Sequence, residues 1–257
     1  MTTTVVLKPP APVLPTVTLL RRSLAAEWAR LWTVPSTWWA LLAAVGMALI
    51  FAAVFSADEW DEGVPIWVAG EFAVVIAQLP LFVLVMLPFT SDYSTGAIRG
   101  SLQWVPRRGI LLTSRTVVAV SVATIAGLLV AVMADAVMWL WVREFEAVEI
   151  LTSLGNLIVL LLTGGLVTAG LATILRSAAG ALTAAVLLLL ALPAMLPEFD
   201  VAWLSWVGRH LPGAALALLA SFFGETMTLR QLAPTLVAWV VGSFALAAWL
   251  LARRDTG

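Results

Sequence analysis

Six stretches of the chain are predominantly apolar, and most charged residues fall in the gaps between them. The runs are Thr37–Ser56, Val68–Phe89, Thr116–Val142, Thr152–Leu175, Ala179–Leu196 and Pro234–Ala252. Each is about as long as the ~20 residues that a helix needs to cross a ~30 Å hydrocarbon core. The runs are continuous, whereas transmembrane β-strands read as short alternating segments, so helices are predicted. The expected fold class is therefore all-α: a polytopic membrane protein with six transmembrane helices. Only Arg176, Ser177 and Ala178 separate the fourth and fifth runs, which predicts a tight helical hairpin.

Composition agrees with this pattern. Hydrophobic residues make up 62% of the chain and charged residues 11%. A soluble domain carries about 25% charged residues, so most of this surface has to face lipid. Cysteine is absent, which excludes disulfides, thiol chemistry and thiolate metal sites.

The charges are distributed unevenly. Lys8, Arg21, Arg22, Arg30, Arg99, Arg107, Arg108, Arg115, Arg176, Arg253 and Arg254 fall on one side of a six-span topology. Arg143, Arg209 and Arg230 fall on the other, together with most of the acidic residues, among them Asp58, Glu59, Asp61, Glu62, Glu144, Glu146 and Glu149. By the positive-inside rule both termini are expected in the cytoplasm. Tryptophans gather near both ends of the runs, as interfacial anchors do.

Three non-spanning segments add detail. Residues 1–17, with Pro9, Pro10, Pro12 and Pro15, read as a disordered arm ahead of a single transmembrane domain over 18–257. In Thr18–Thr33, Leu20, Leu24, Trp28 and Leu31 share one helix face while Arg22, Ala26 and Arg30 lie opposite. That pattern predicts an in-plane interfacial helix, with a cytoplasmic extension of the first span as the alternative. Pro35 should break it, leaving Ser36 or Thr37 to cap the first span. The connection Ser91–Arg115 is too long for a hairpin turn. It contains a short helix-forming stretch with Ile98, Leu102 and Val105 on one face, ended by Pro106. Such a segment suits docking onto a partner, or else its arginines only fix topology and bind anionic lipid. On the far side, 197–233 holds two apolar stretches too short to span, Val201–Val207 and Leu211–Phe223, and a re-entrant or interfacial pair of helices is expected.

Little here supports chemistry. The only lysine, Lys8, precedes Pro9, so no phosphate-binding loop of the G-x-x-x-x-G-K-[ST] type exists and ATP hydrolysis cannot be built on this chain. His210 is the only histidine, and it reads as an interfacial polar residue. Within the spans, Glu71 and Asp135 are the ionisable residues, and such residues are functional candidates by default. Either they bind a cationic substrate group or gate an exit, or they snorkel to the interface or hydrogen-bond a neighbouring helix. Gln78, Pro80 and Pro88 make the second span the one expected to kink and to face protein or a cavity. Gly164, Gly165, Thr168, Ala169 and Gly170 form a small-residue face suited to close helix packing, inside the chain or between subunits.

The run Asp92-Tyr93…Gly96-Ala97-Ile98-Arg99, followed by Val105-Pro106-Arg107-Arg108-Gly109, resembles the first cytoplasmic loop of actinobacterial ABC-2-type transporter permeases. Glu27-Trp28…Leu31…Pro35-Ser36-Thr37-Trp38-Trp39 is similar to their opening segment, and Leu211-Pro212-Gly213 fits their outer re-entrant element. Asp92 stands where glutamate is commoner, and Ala97 where threonine is. The resemblance implies a permease subunit of an ATP-driven exporter for a small hydrophobic, drug-like or peptide substrate, in a bacterial cell membrane. It implies a separate nucleotide-binding ATPase subunit that carries ATP and Mg, a second permease subunit, and no enzyme activity or cofactor on this chain. It also implies a short coupling helix, with Asp92, Tyr93, Gly96, Arg99, Arg107 and Arg108 contacting or bracing that ATPase and Glu71, Gln78 and Asp135 on a substrate path or gate. Membrane lipids are the remaining expected partner, and nucleic acid is not. A secondary transporter or channel would want internal repeats and midplane charges. An integral membrane enzyme would want His, Asp or Glu clustered at one face.

Overall fold

The computed structural model describes residues 15–57, 65–94, 108–142, 147–199, 201–218 and 228–253. Among them there is no strand, and six helices are long and apolar enough to cross a membrane. The chain is a multi-pass helical membrane protein. Gly96, Arg99 and Arg107, most of the expected coupling helix and the N-terminal arm up to residue 14 lie outside the described residues, as do the side chains of Asp92, Tyr93 and Arg108.

Helix α1 (Thr16–Thr33) stops at Val34, whose backbone is extended. Pro35 forces that conformation, because its ring disfavours a helical residue before it. The same proline then opens α2 (Pro35–Ala57), occupying the first helical position where a missing N–H costs nothing. Ser36 and Thr37 therefore lie inside the first turn of α2 and do not precede it. The elbow is braced by indoles: Trp38 donates to the Trp32 carbonyl at 3.1 Å, and Trp32 packs against both Trp28 and Trp38.

The spans that follow are α3 (Trp67–Ser94), α4 (Arg108–Val142) and α5 (Ala147–Leu175). Then come α6 (Ala178–Val186), a π-helical turn (Leu187–Ala191), α7 (Leu192–Met195) and a 3-10 turn (Leu196–Glu198). The chain continues through α8 (Ala202–Arg209), a 3-10 segment (Pro212–Leu218) and α9 (Leu229–Arg253). Within the spanning windows, 61%, 56% and 67% of residues are buried in α3, α4 and α5, against 28%, 22% and 22% in the first, fifth and last spans. The core is thus a three-helix centre of α3, α4 and α5, and the other spans present long apolar faces outward. Leu42, Ile50, Ile125, Leu129, Val237 and Val241 are exposed on the isolated chain, as lipid-facing positions should be.

Small residues let the helices approach. Three of the four α5 glycines face other helices of the same chain: Gly164 the ring of Phe82, Gly165 the side chain of Val120 and Gly170 the Ser243 side chain of α9. The small-residue face of the fourth span therefore serves packing within the chain. Lipid offers no hydrophobic drive between helices, so such close contact supplies the cohesion.

The α5–α6 hairpin turns as its sequence predicts. Arg176 adopts the left-handed conformation (φ 55°), and the Ser177 hydroxyl accepts the Gly180 amide at 3.3 Å, capping α6. Within the 197–233 connection, α8 is half exposed, while Leu211 to Leu216 are buried. The 3-10 segment is wedged among α5, the π-helical turn and α9. Trp239 of α9 donates to the His210 carbonyl at 2.7 Å and fixes the start of that segment.

Candidate functional site

Two clusters of polar side chains lie at opposite ends of the α3–α4–α5 core. Arg115 and Asp135, both on α4, mark them. They are twenty residues apart in an α-helix, which places them about 30 Å apart along its axis.

The first cluster is at the α1 end. Helix α4 begins at Arg108 and runs without interruption into its apolar part, so Arg115 is a helical residue at a bundle-facing position and not a loop residue. Only 4% of it is exposed. Its Nε donates to Glu27 Oε1 at 2.9 Å, and one terminal nitrogen donates to the Pro88 carbonyl at 3.1 Å. One guanidinium therefore joins α1, α3 and α4, and its rigid fork of donors is what permits two partners in different directions. Beside it the buried hydroxyls of Ser23 and Ser114 are 2.7 Å apart, and Arg30 reaches Ser91 at 3.4 Å. Arg30 also approaches Glu27 at 3.9 Å. A small cleft, partly open to solvent, lies against this cluster. Its walls combine Glu27, Arg30 and Arg115 with Leu84, Leu87 and Val118.

The pattern of α1 burial follows from these contacts. Ser23 and Leu31 are buried, Leu20, Leu24 and Glu27 are half-buried, and Trp28 is largely exposed. The face that packs on α4 and α2 is thus centred on Ser23, Glu27 and Leu31, one position away from the face traced through Trp28 in the sequence.

The second cluster is at the opposite end. The first four amides of a helix have no partner within it, and Gly70 is the fourth residue of α3. Its amide donates to Asp135 Oδ1 at 2.7 Å. Asp135 therefore caps α3 from a neighbouring helix, its carboxyl oxygen accepting at the end of α3 where the backbone N–H groups point. A Cβ on residue 70 would lie 2.5 Å from Asp135 Oδ1, so any larger residue there has to displace that carboxyl group. Glu71, 1% exposed, accepts from the Ser153 hydroxyl at 3.0 Å. Trp67 donates its indole N–H to Glu149 at 3.0 Å. Helices α3, α4 and α5 are thus tied together by three carboxylates, each accepting a hydrogen bond from another helix.

Of the residues singled out in the sequence, Glu71 and Asp135 come together here and bond to neighbouring helices, one of the two arrangements expected of them. Gln78 is 2% exposed, two turns along α3 toward the other cluster. Asp92 and Tyr93 are in the last turn of α3 and Arg108 is the first residue of α4. Glu27, Arg115, Ser23 and Gly70 are the site residues that hydropathy did not single out as contacts. A signal existed for Arg115, since no helix breaker stands between Gly109 and Thr116 and the helix could be extended back through it. No group of three or more His, Cys, Asp or Glu able to hold a metal ion occurs among the described residues. No protein-family model matches the chain, and no curated protein matches it.

Proposed function

We propose that this chain is the membrane-embedded permease subunit of an ATP-driven exporter whose ATPase is a separate subunit. In this reading it works in a bacterial cell membrane with both termini cytoplasmic, paired with a second permease subunit. The observation that carries it is the run from Asp92 to Arg108, which resembles the ABC-2 coupling loop and is bordered by the end of α3 and the start of α4. Two further points support it. The chain has no lysine-bearing phosphate loop of its own, and its basic residues lie mainly on the side where such a partner would dock.

The test is co-purification with a nucleotide-binding subunit, followed by hydrolysis measurements on variants at Asp92 and Arg99. The expected result is a stable complex whose hydrolysis falls several-fold in Arg99→Ala and Asp92→Ala. Failure to form a complex, together with transport unaffected by ATP depletion, overturns the reading.

The burial of Glu71 and Asp135 favours one alternative, a secondary transporter driven by an ion gradient. Collapse of transport by an ionophore at constant ATP is the result that selects it. The hydrogen bonds of both carboxylates already give them structural work, which favours the first reading.

A further inference from the structure

Helix α1 belongs, by sequence pattern alone, on the membrane surface. Its contacts are of another kind. Glu27 is half-buried and its carboxylate is 2.9 Å from the Nε of Arg115. Arg115 in turn holds the Pro88 carbonyl, six residues before the end of α3. Ser23 meets Ser114 in a buried contact one turn earlier in α1, and Arg30 reaches Ser91 on the other side of Glu27. Three successive turns of α1, at Ser23, Glu27 and Arg30, therefore each bond to α3 or α4 within a few residues of where those helices border residues 95–107.

We propose that Glu27 and Arg115 are positioning residues that make α1 and the adjoining ends of α3 and α4 a single mechanical unit. The physical reason is cooperative geometry. An arginine buried among helices needs its charge and its donors satisfied, and here the satisfying groups come from two other helices. Moving any one of the three elements breaks a bond of the same guanidinium, so the three shift together. The apolar packing of Leu31 alone would let α1 slide, since such contacts are non-directional. The functional consequence rests on the coupling reading: motion received by residues 95–107 would reach α1, and through its tryptophan elbow the first span.

The experiment separates the two claims. The chain contains no cysteine, so spin labels can be placed at Ala26→Cys on α1 and Ala179→Cys on α6, both exposed positions, in the full chain in lipid nanodiscs. The parent should give one narrow distance distribution. Glu27→Ala should broaden it at least two-fold, and Glu27→Asp, which keeps the charge, should restore most of the narrowness. An unchanged width in Glu27→Ala overturns the proposal. If that variant does not fold, Ser23→Val decides, with a smaller broadening expected and an unchanged width again fatal. With a co-purified ATPase, Glu27→Ala should lower hydrolysis as Arg99→Ala does, with rescue by Glu27→Asp. Loss in Arg99→Ala but not in Glu27→Ala removes the positioning role and leaves the coupling reading standing. Hydrolysis unaffected in both removes the coupling reading, and with it the functional consequence, while the label distances still judge the mechanical unit.

Discussion

The two ends of α4 satisfy buried charge in different ways. At the α1 end, Arg115 meets a full opposite charge, Glu27, with a backbone carbonyl as second partner. At the other end, Asp135 meets one first-turn amide of a helix, that of Gly70, and Glu71 and Glu149 meet a hydroxyl and an indole. Ion pairs are stringent, because losing one member leaves the other uncompensated. A helix terminus is more forgiving, because the partial charge of its amides persists whatever the capping side chain. The Glu27–Arg115 contact therefore depends on two side chains and the Gly70–Asp135 contact on a side chain and a backbone amide, and the two should fail differently under mutation.

The largest effect is expected from Arg115→Met, which removes the closer of the two cations beside Glu27 and leaves only Arg30 at 3.9 Å. It should cost about 3 kcal/mol or more, read as a fall in stability by steric trapping in bicelles. Gly70→Ala comes next, at about 2 kcal/mol, since the added methyl must displace Asp135 or the start of α3. The double variant Gly70→Ala/Asp135→Ala should cost less than the sum of the singles, because removing the carboxylate makes room for the methyl. An additive result would mean that the two residues do not share one contact. Asp135→Asn keeps an acceptor for the Gly70 amide and should cost only about 1 kcal/mol. If it instead equals Arg115→Met, the contrast between the two ends is wrong. Trp67→Phe, at a more exposed hydrogen bond, should be smallest, at about 0.5 kcal/mol.

Hydropathy located the spans well because lipid imposes a strong rule: a run of apolar residues long enough to cross must be a helix. It was less informative about where a helix starts. The third span begins at Gly109 and not at Thr116, because Ser114 and Arg115 lower the hydropathy without breaking the helix. Glu71 and Asp135 stood out as charges in apolar surroundings, yet their partners could not be read. Gly70 looks like any other glycine in a span, and its importance lies in an amide and in an absent methyl, neither of which a hydropathy scale registers. Glu27 was legible only as part of an amphipathic pattern, since an ion pair across 88 positions of sequence leaves no local trace. The α5 small-residue face was visible, but only the contacts of Gly164, Gly165 and Gly170 assign it to packing within the chain.

The buried 3-10 segment, Pro212–Leu218, bears on the order in which the molecule is assembled. At about 2 Å per residue it is only ~14 Å long, far short of crossing the bilayer. Its walls are α5, the π-helical turn after α6, and α9, and α9 is the last of these to be synthesised. Until α9 arrives, Leu211, Leu216 and the alanines between them have one side uncovered, and the Trp239 indole that holds the His210 carbonyl is not yet available. Docking of this segment should therefore follow insertion of α9, and a chain truncated before α9 should be held in the membrane by its first five spans while the connection after the fifth span remains open to protease.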